Sequence, residues 1–327
     1  MTSVIWVLVL TVGLLAAALF GPLLLRGAAP TLARAPRLAA VILFGGILMW
    51  IIALLAVGPI LAWFISGPSL LPEGAAAVCR RCLASASPFG EVVLETSLPA
   101  VSLLVIPATA GIGLAAGAIV ELRRRARSTR LAADLLRAEG ESATVHGHPV
   151  LLIRDPRPLA FALPSRAGGI VLSEAALAQL ERDELVAVLE HEAAHLRQRH
   201  HLIVAAVASL TRHLRWIPLI AAAADALPHY LEVAADDAAR SCTGTPALAA
   251  ALLKLGSPAH PEYLPAPQVV ALNAAGPSRI KHLVSPPPAR RGALHAIGIA
   301  TALVTLTVIN LGVQVPYVYA AATGCTL

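Results

Sequence analysis

The strongest constraint on this chain is a set of long apolar runs. Residues 4–25 (VIWVLVLTVGLLAAALFGPLLL) carry no charged side chain, and a stretch of that length crosses a hydrocarbon core about 30 Å thick. Comparable runs lie at residues 38–66, 98–120 and 294–314. Backbone polar groups inside lipid must be satisfied within the segment, so each run is expected to be a helix. No Lys or Arg precedes the first run, as a cleaved signal would require, so it is read as a span. The chain is 57% hydrophobic and 13% charged, which is too apolar for an ordinary soluble domain.

Basic residues set the expected orientation. Arg123, Arg124, Arg125, Arg127 and Arg130 follow the third run directly, which marks that end as cytoplasmic. Residues 67–97 then lie outside, residues 26–37 with Arg26, Arg34 and Arg37 lie inside, and the N-terminus lies outside. Arg279, Lys281, Arg290 and Arg291 precede the fourth run and no basic residue follows it, so the C-terminus is also expected outside. The expected product is a multi-pass plasma-membrane protein of α+β class: a three-helix membrane region at 1–121, a cytoplasmic domain at 122–292, and a fourth span with a short tail at 293–327. The formal charge of +6 is not accompanied by a basic-aromatic stripe, so no direct nucleic-acid contact is expected. The spans carry essentially no mid-membrane ionisable group, which argues against a transporter or channel.

The cytoplasmic segment opens with an expected helix at 128–139. Short β-like runs follow at Ala143 to His146, Pro149 to Ile153, Leu159 to Leu163 and Gly168 to Leu172, separated by Gly and Pro. Ser173 is a good N-cap for the helix SEAALAQLE. Further on, Arg212, His213 and Arg215 divide the apolar stretch 202–225 into two pieces too short to cross. These pieces are expected on the cytoplasmic side, in the interface or packed on the spans. The Pro-rich stretch 256–291 is expected to form loops.

Asp183 to His201 (DELVAVLEHEAAHLRQRHH) has apolar residues at helical spacing and neither Gly nor Pro, so it reads as one helix. At its centre, His191, Glu192 and His195 form an HExxH motif. Positions i and i+4 share a helix face, so His191 and His195 can present two imidazoles to one metal ion, with Glu192 beside it. Catalytic zinc commonly takes three protein ligands and an open position. The best third ligand is Glu232 in HYLEVAADDAARSC, with Asp236 one turn further able to accept the other ring N–H of a ligand histidine. Asp237 points elsewhere and reads as solvated or capping.

HEAAH followed by E-x-x-A-D, between a third and a fourth span, resembles the BlaR/MecR-type integral-membrane zinc metallopeptidases, the antirepressor peptidases. The HtpX and CAAX-prenyl-protease zinc peptidases share the two motifs. The resemblance implies a zincin-like domain, a small sheet plus the HExxH helix, holding one Zn2+ per chain. It implies that His191, His195 and Glu232 are zinc ligands, Glu192 the catalytic base, and Asp236 the carboxylate behind the ligands. The implied activity is endopeptidase cleavage of a cytoplasmic protein, a BlaI/MecI-like transcriptional repressor in a signalling circuit. The alternatives are an HtpX-like membrane quality-control protease and a non-enzymatic transducer that uses the zincin fold. Membrane lipid is the other expected partner. In the antibiotic-sensing members a penicillin-binding domain follows the fourth span; here the chain stops soon after it, so direct β-lactam sensing is not expected. The one S-x-x-K match, Ser278 to Lys281, lacks partner motifs and reads as accidental.

Four further expectations concern single residues. Cys79, Cys82 and Cys325 fall on the oxidising side, where two of them can form a disulfide. Cys242 reads as core. His200, His201, His213 and His229 read mostly as surface or interface residues, although one of them, Tyr230 or Arg279 could stabilise an oxyanion. Residues 169–172 read either as an edge that takes a peptide as an added strand or as an ordinary core strand.

Overall fold

The computed structural model describes residues 2–66, 100–255 and 292–323. Cys79, Cys82, Cys325, Arg279 and the Ser278–Lys281 motif lie outside them. The first two helices are α1 (Thr2–Leu32) and α2 (Pro36–Ser66), joined by a tight turn. The third, α3 (Ala100–Glu139), runs 40 residues without a break. The expected separation between a third span and a helix at 128–139 is therefore absent. No Gly or Pro occurs from residue 118 to 139, and the Arg, Ala and Leu there are strong helix formers.

Three helices among the described residues are long and apolar enough to cross a membrane, at Leu8–Leu32, Pro36–Leu61 and Ser102–Glu139. Their outward faces carry exposed apolar side chains such as Leu15, Leu19, Val41 and Ile112, a belt that points to membrane association. The fourth expected run lies in the last helix, whose apolar stretch Ala293–Ile309 falls in the shorter class.

The end of α3 leads into a four-stranded mixed sheet. Strands β1 (Glu141–Val145), β2 (His148–Ile153), β3 (Ala160–Ala162) and β4 (Ile170–Ser173) stand in the order β1-β2-β4-β3. The β1–β2 and β3–β4 pairs are antiparallel and β2–β4 is parallel. All four expected strand runs form strands. His146 and Gly147, both at positive φ (47° and 83°), make the two-residue turn between β1 and β2 that matches the strand twist.

Alternate residues face opposite sides of a sheet. Leu151, Ile153, Phe161 and Val171 pack against Ala132, Ala133 and Leu136 of α3. Val150, Ala160, Ile170 and Leu172 pack instead with the helix that carries HExxH and its neighbours. Burial on both faces explains why PVLLI reads as a continuous apolar run rather than an alternating one.

Beyond the sheet come α4 (Glu174–Gln179), α5 (Arg182–Arg197), α6 (His200–Thr211), α7 (Pro218–Thr243), α8 (Thr245–Leu255) and α9 (Ala293–Thr323). Ser173 caps α4 as expected, its hydroxyl accepting from Ala176 N (3.1 Å) and Leu159 N (2.8 Å). The apolar stretch after residue 201 divides at residues 212–217, also as expected. Its second piece joins the Glu232 run in one continuous helix, α7. The first half of α7 (Ile220, Ala223, Leu227, Leu231) shares a core with α1 and α2. A helix that packs among the long apolar helices thus carries the third candidate ligand.

Candidate metal centre

The HExxH helix α5 is fixed at its start. Glu184 accepts a hydrogen bond from the Glu181 backbone N–H (2.8 Å), closing the first turn, and takes a second from Lys254 of α8 (2.7 Å). Burial raises the Glu184 pKa, but the Lys254 hydrogen bond, the Glu181 N–H and the Lys254 charge outweigh it, so the carboxyl sits below its ordinary value. With its N-terminus held against α8, α5 packs across α7.

That crossing brings together the residues named from the sequence. His191 and His195, one turn apart on α5, meet Glu232 of α7, and one ligand atom from each lies within 4.8 Å of the others. His191 Nε2 is 3.0 Å from His195 Nε2 and 3.5 Å from a Glu232 oxygen, and His195 Nε2 is 3.4 Å from the other. Ligands bound about 2.0–2.2 Å from a tetrahedral zinc stand roughly 3.3–3.6 Å apart; the two histidine–Glu232 spacings match this range and the His191–His195 spacing is shorter. All three are buried, as are Glu192 and Asp236. Three carboxyl groups and two imidazoles buried together are a donor set that a divalent cation would satisfy. This group of residues could hold a metal ion.

Each candidate ligand histidine has a partner on its other ring nitrogen. His191 Nδ1 lies 3.0 Å from Asp236 Oδ1, the contact anticipated for that carboxylate. His195 Nδ1 lies 2.9 Å from Nδ1 of His200, whose Nε2 is 3.3 Å from Gln198 Oε1. With His195 Nε2 as the ligand atom, its Nδ1 would carry the proton and donate to His200 Nδ1, and His200 Nε2–H would donate to Gln198 Oε1. Burial first, then His191, Arg37 and His201, push the His200 imidazole down to about 4, which keeps it a neutral acceptor near pH 7.

His200 corrects the surface role expected for it. It also corrects the single helix expected over Asp183 to His201. The helix ends at Arg197, and Arg199 adopts a left-handed conformation (φ 53°, ψ 38°) before α6 begins. In an unbroken helix His200 would lie about 140° around from His195. The turn at Arg199 folds it back onto the ligand. A histidine five residues after HExxH was the only sequence signal, and helical periodicity pointed away from it.

Several other expectations resolve. Tyr230 is buried in the core shared with α1 and α2, two residues before Glu232 and so on the far side of α7; burial raises its pKa to about 12. His213 packs beside Gly117 of α3, away from the centre. Asp237 pairs with Arg240 on the outer face (2.9 Å). Cys242 is exposed, not core: it lies about 60° around the helix from Ala239, which is buried. Strand β4 is hydrogen-bonded on both sides, to β2 and β3. It therefore cannot take a peptide at Gly169 to Leu172 as an added strand. Among the described strands the edges belong to β1 and β3, and β3 packs against α5.

No curated protein and no solved structure matches the chain. Residues 125–229, which include the end of α3, the sheet, the whole of α5 with His191, Glu192 and His195, and the first half of α7 up to three residues before Glu232, match the family described as Peptidase family M48, a family of zinc metallopeptidases.

Proposed function

We propose that this chain is an integral-membrane, zinc-dependent endopeptidase. His191, His195 and Glu232 would hold the ion, and Glu192 would be the general base. The observation that carries the proposal is the convergence of two α5 imidazoles, inside the segment that matches a metallopeptidase family, with one α7 carboxylate just beyond it, their ligand atoms within 4.8 Å of one another.

A zinc ion held there supplies Lewis-acid polarisation of a scissile carbonyl and lowers the pKa of water to near neutrality. The protein's residues do the rest. Asp236 faces His191 Nδ1 and His200 faces His195 Nδ1, an arrangement that would leave both Nε2 atoms to the metal. Glu192, buried next to the two histidines, takes the proton of the attacking water on its carboxylate and delivers it to the departing amine nitrogen.

In this proposal α1, α2, α3 and α9 are four spans, both termini are extracytoplasmic, and the domain at 122–292 is cytoplasmic. The substrate is a cytoplasmic protein, a BlaI/MecI-like repressor by the resemblance of the two motifs. A second reading, quality control of membrane proteins in the manner of HtpX, is favoured by a specific observation. The helix carrying Glu232 packs in one core with α1 and α2, which supports a centre close to the bilayer and within reach of membrane-bound substrates.

Proteomic comparison of cells expressing the wild type or Glu192→Ala separates the readings. Cleavage of one repressor-like protein only by the wild type supports signalling, and changes in many membrane proteins support quality control. No difference under any stress, with zinc bound in both, would leave the non-enzymatic transducer.

A further inference from the structure

A cavity of about 350 Å3 lies between α1, α2 and α9 and is closed at one place by Leu219 and Ala223 of α7. Among the described residues its lining holds no charged side chain. Among the described residues the only polar side chains in the lining are Thr305 and Trp50, and the Trp50 indole N–H already donates to the Leu14 carbonyl (3.1 Å). Val9, Ala302 and Thr305 are exposed, so the cavity is reachable from the outer surface of the helices.

Three occupants can be compared. Water needs two to four polar partners at each position and finds almost none here. A helical protein segment is too large. The helices α1, α2 and α9 pack directly on one another, which leaves no gap about 10 Å across for a further helix between them. A single alkyl chain is long, thin and apolar, and it restores the dispersion contacts that an empty slot denies its lining. In a bilayer such chains surround the helices at the same depth.

We propose that this cavity is a binding site for one acyl chain of a membrane phospholipid. The proposal rests on the reading that these helices lie in a bilayer. Because Leu219 and Ala223 belong to the helix that also carries Glu232, the bound chain braces the helix that supplies the third candidate ligand.

The test uses the full-length chain in phosphatidylcholine vesicles whose acyl chains are brominated near mid-chain, compared with unbrominated vesicles. Trp50 is 5% exposed, so bulk lipid makes little direct contact with it, and quenching that cavity-filling substitutions remove comes from a chain inside the cavity. With Trp50 as the only tryptophan, its fluorescence is expected to fall by at least half in brominated lipid. A Cβ on Gly13 would meet nothing within 4 Å, so Gly13→Leu projects into the space, as does Ala302→Leu from α9. Each should at least halve the quenching. The control is Leu19→Trp in a tryptophan-free background, since Leu19 is 62% exposed on the outer face of α1. A quenched Leu19→Trp control with unquenched Trp50, or Trp50 quenching unchanged by both fillings, overturns the site. If the control is also unquenched, the bilayer reading itself falls and the site with it.

Discussion

His195 Nδ1 and His200 Nδ1 stand 2.9 Å apart in a buried contact, so a candidate metal ligand is oriented by a second histidine where His191 is oriented by a carboxylate. The two arms are electrically different. Asp236 brings a negative charge to the ring behind it, while neutral His200 brings only a lone pair.

Removing that lone pair should weaken the metal site without removing a ligand. His200→Ala is expected to lower zinc affinity by about 10–100-fold, read by competition with a chromogenic chelator. His200→Asn, which keeps an acceptor, should recover most of the loss. Equal affinity in wild type and His200→Ala would mean that the contact does not orient His195.

The left-handed residue Arg199 should matter for the same reason. A non-glycine residue there costs about 1–2 kcal/mol, so Arg199→Gly should fold at least as stably as the wild type. Arg199→Val, β-branched at a positive φ (53°), should destabilise by a similar amount and lower zinc affinity by displacing His200. Thermal unfolding and chelator competition on the same preparations check both halves.

Glu192→Gln should keep the charge-independent shape of the site while losing the proton acceptor. Hydrolysis of a protein substrate such as casein should fall by roughly 10²–10⁴-fold, with bound zinc unchanged. Loss of zinc from this variant would instead make Glu192 part of the ligand set.

The Glu184 and Lys254 contact at the start of α5 gives a pH prediction. The folded Glu184 pKa is held below its ordinary 4.5, so its contribution to stability is complete above about 4.5 and is lost as pH falls through the lowered folded value. Glu184→Gln should therefore unfold at a lower temperature near neutral pH, and its unfolding temperature should fall less than the wild type's on acidification below about 4.5. Parallel curves for the two proteins across that window would contradict the assignment.

Much of the candidate site was readable from spacing alone. His191 with His195 and Glu232 with Asp236 are pairs four residues apart, and helix geometry places each pair on one face without any knowledge of the fold. The meeting of α5 and α7 required only that two predicted helices pack. His200 was not readable, because its position depends on a left-handed turn at Arg199 that no Gly announces. The four strand runs were legible in their β-branched and apolar residues, but their order was not. Whether Ile170 to Ser173 is an edge or a centre depends on which crossover brings β3 alongside it. The continuity of α3 was missed for a different reason: the charge change at Arg123 marks a change of solvent, and the helix passes through it.

The most direct test is the zinc content of the purified full-length chain, measured by elemental analysis beside Glu192→Ala and Glu232→Ala. One zinc per chain in the wild type and Glu192→Ala, with loss from Glu232→Ala, is the predicted result. A wild type that binds no zinc when it is supplied, or a Glu232→Ala variant that binds it as tightly as the wild type, would contradict the metal centre and the peptidase function built on it.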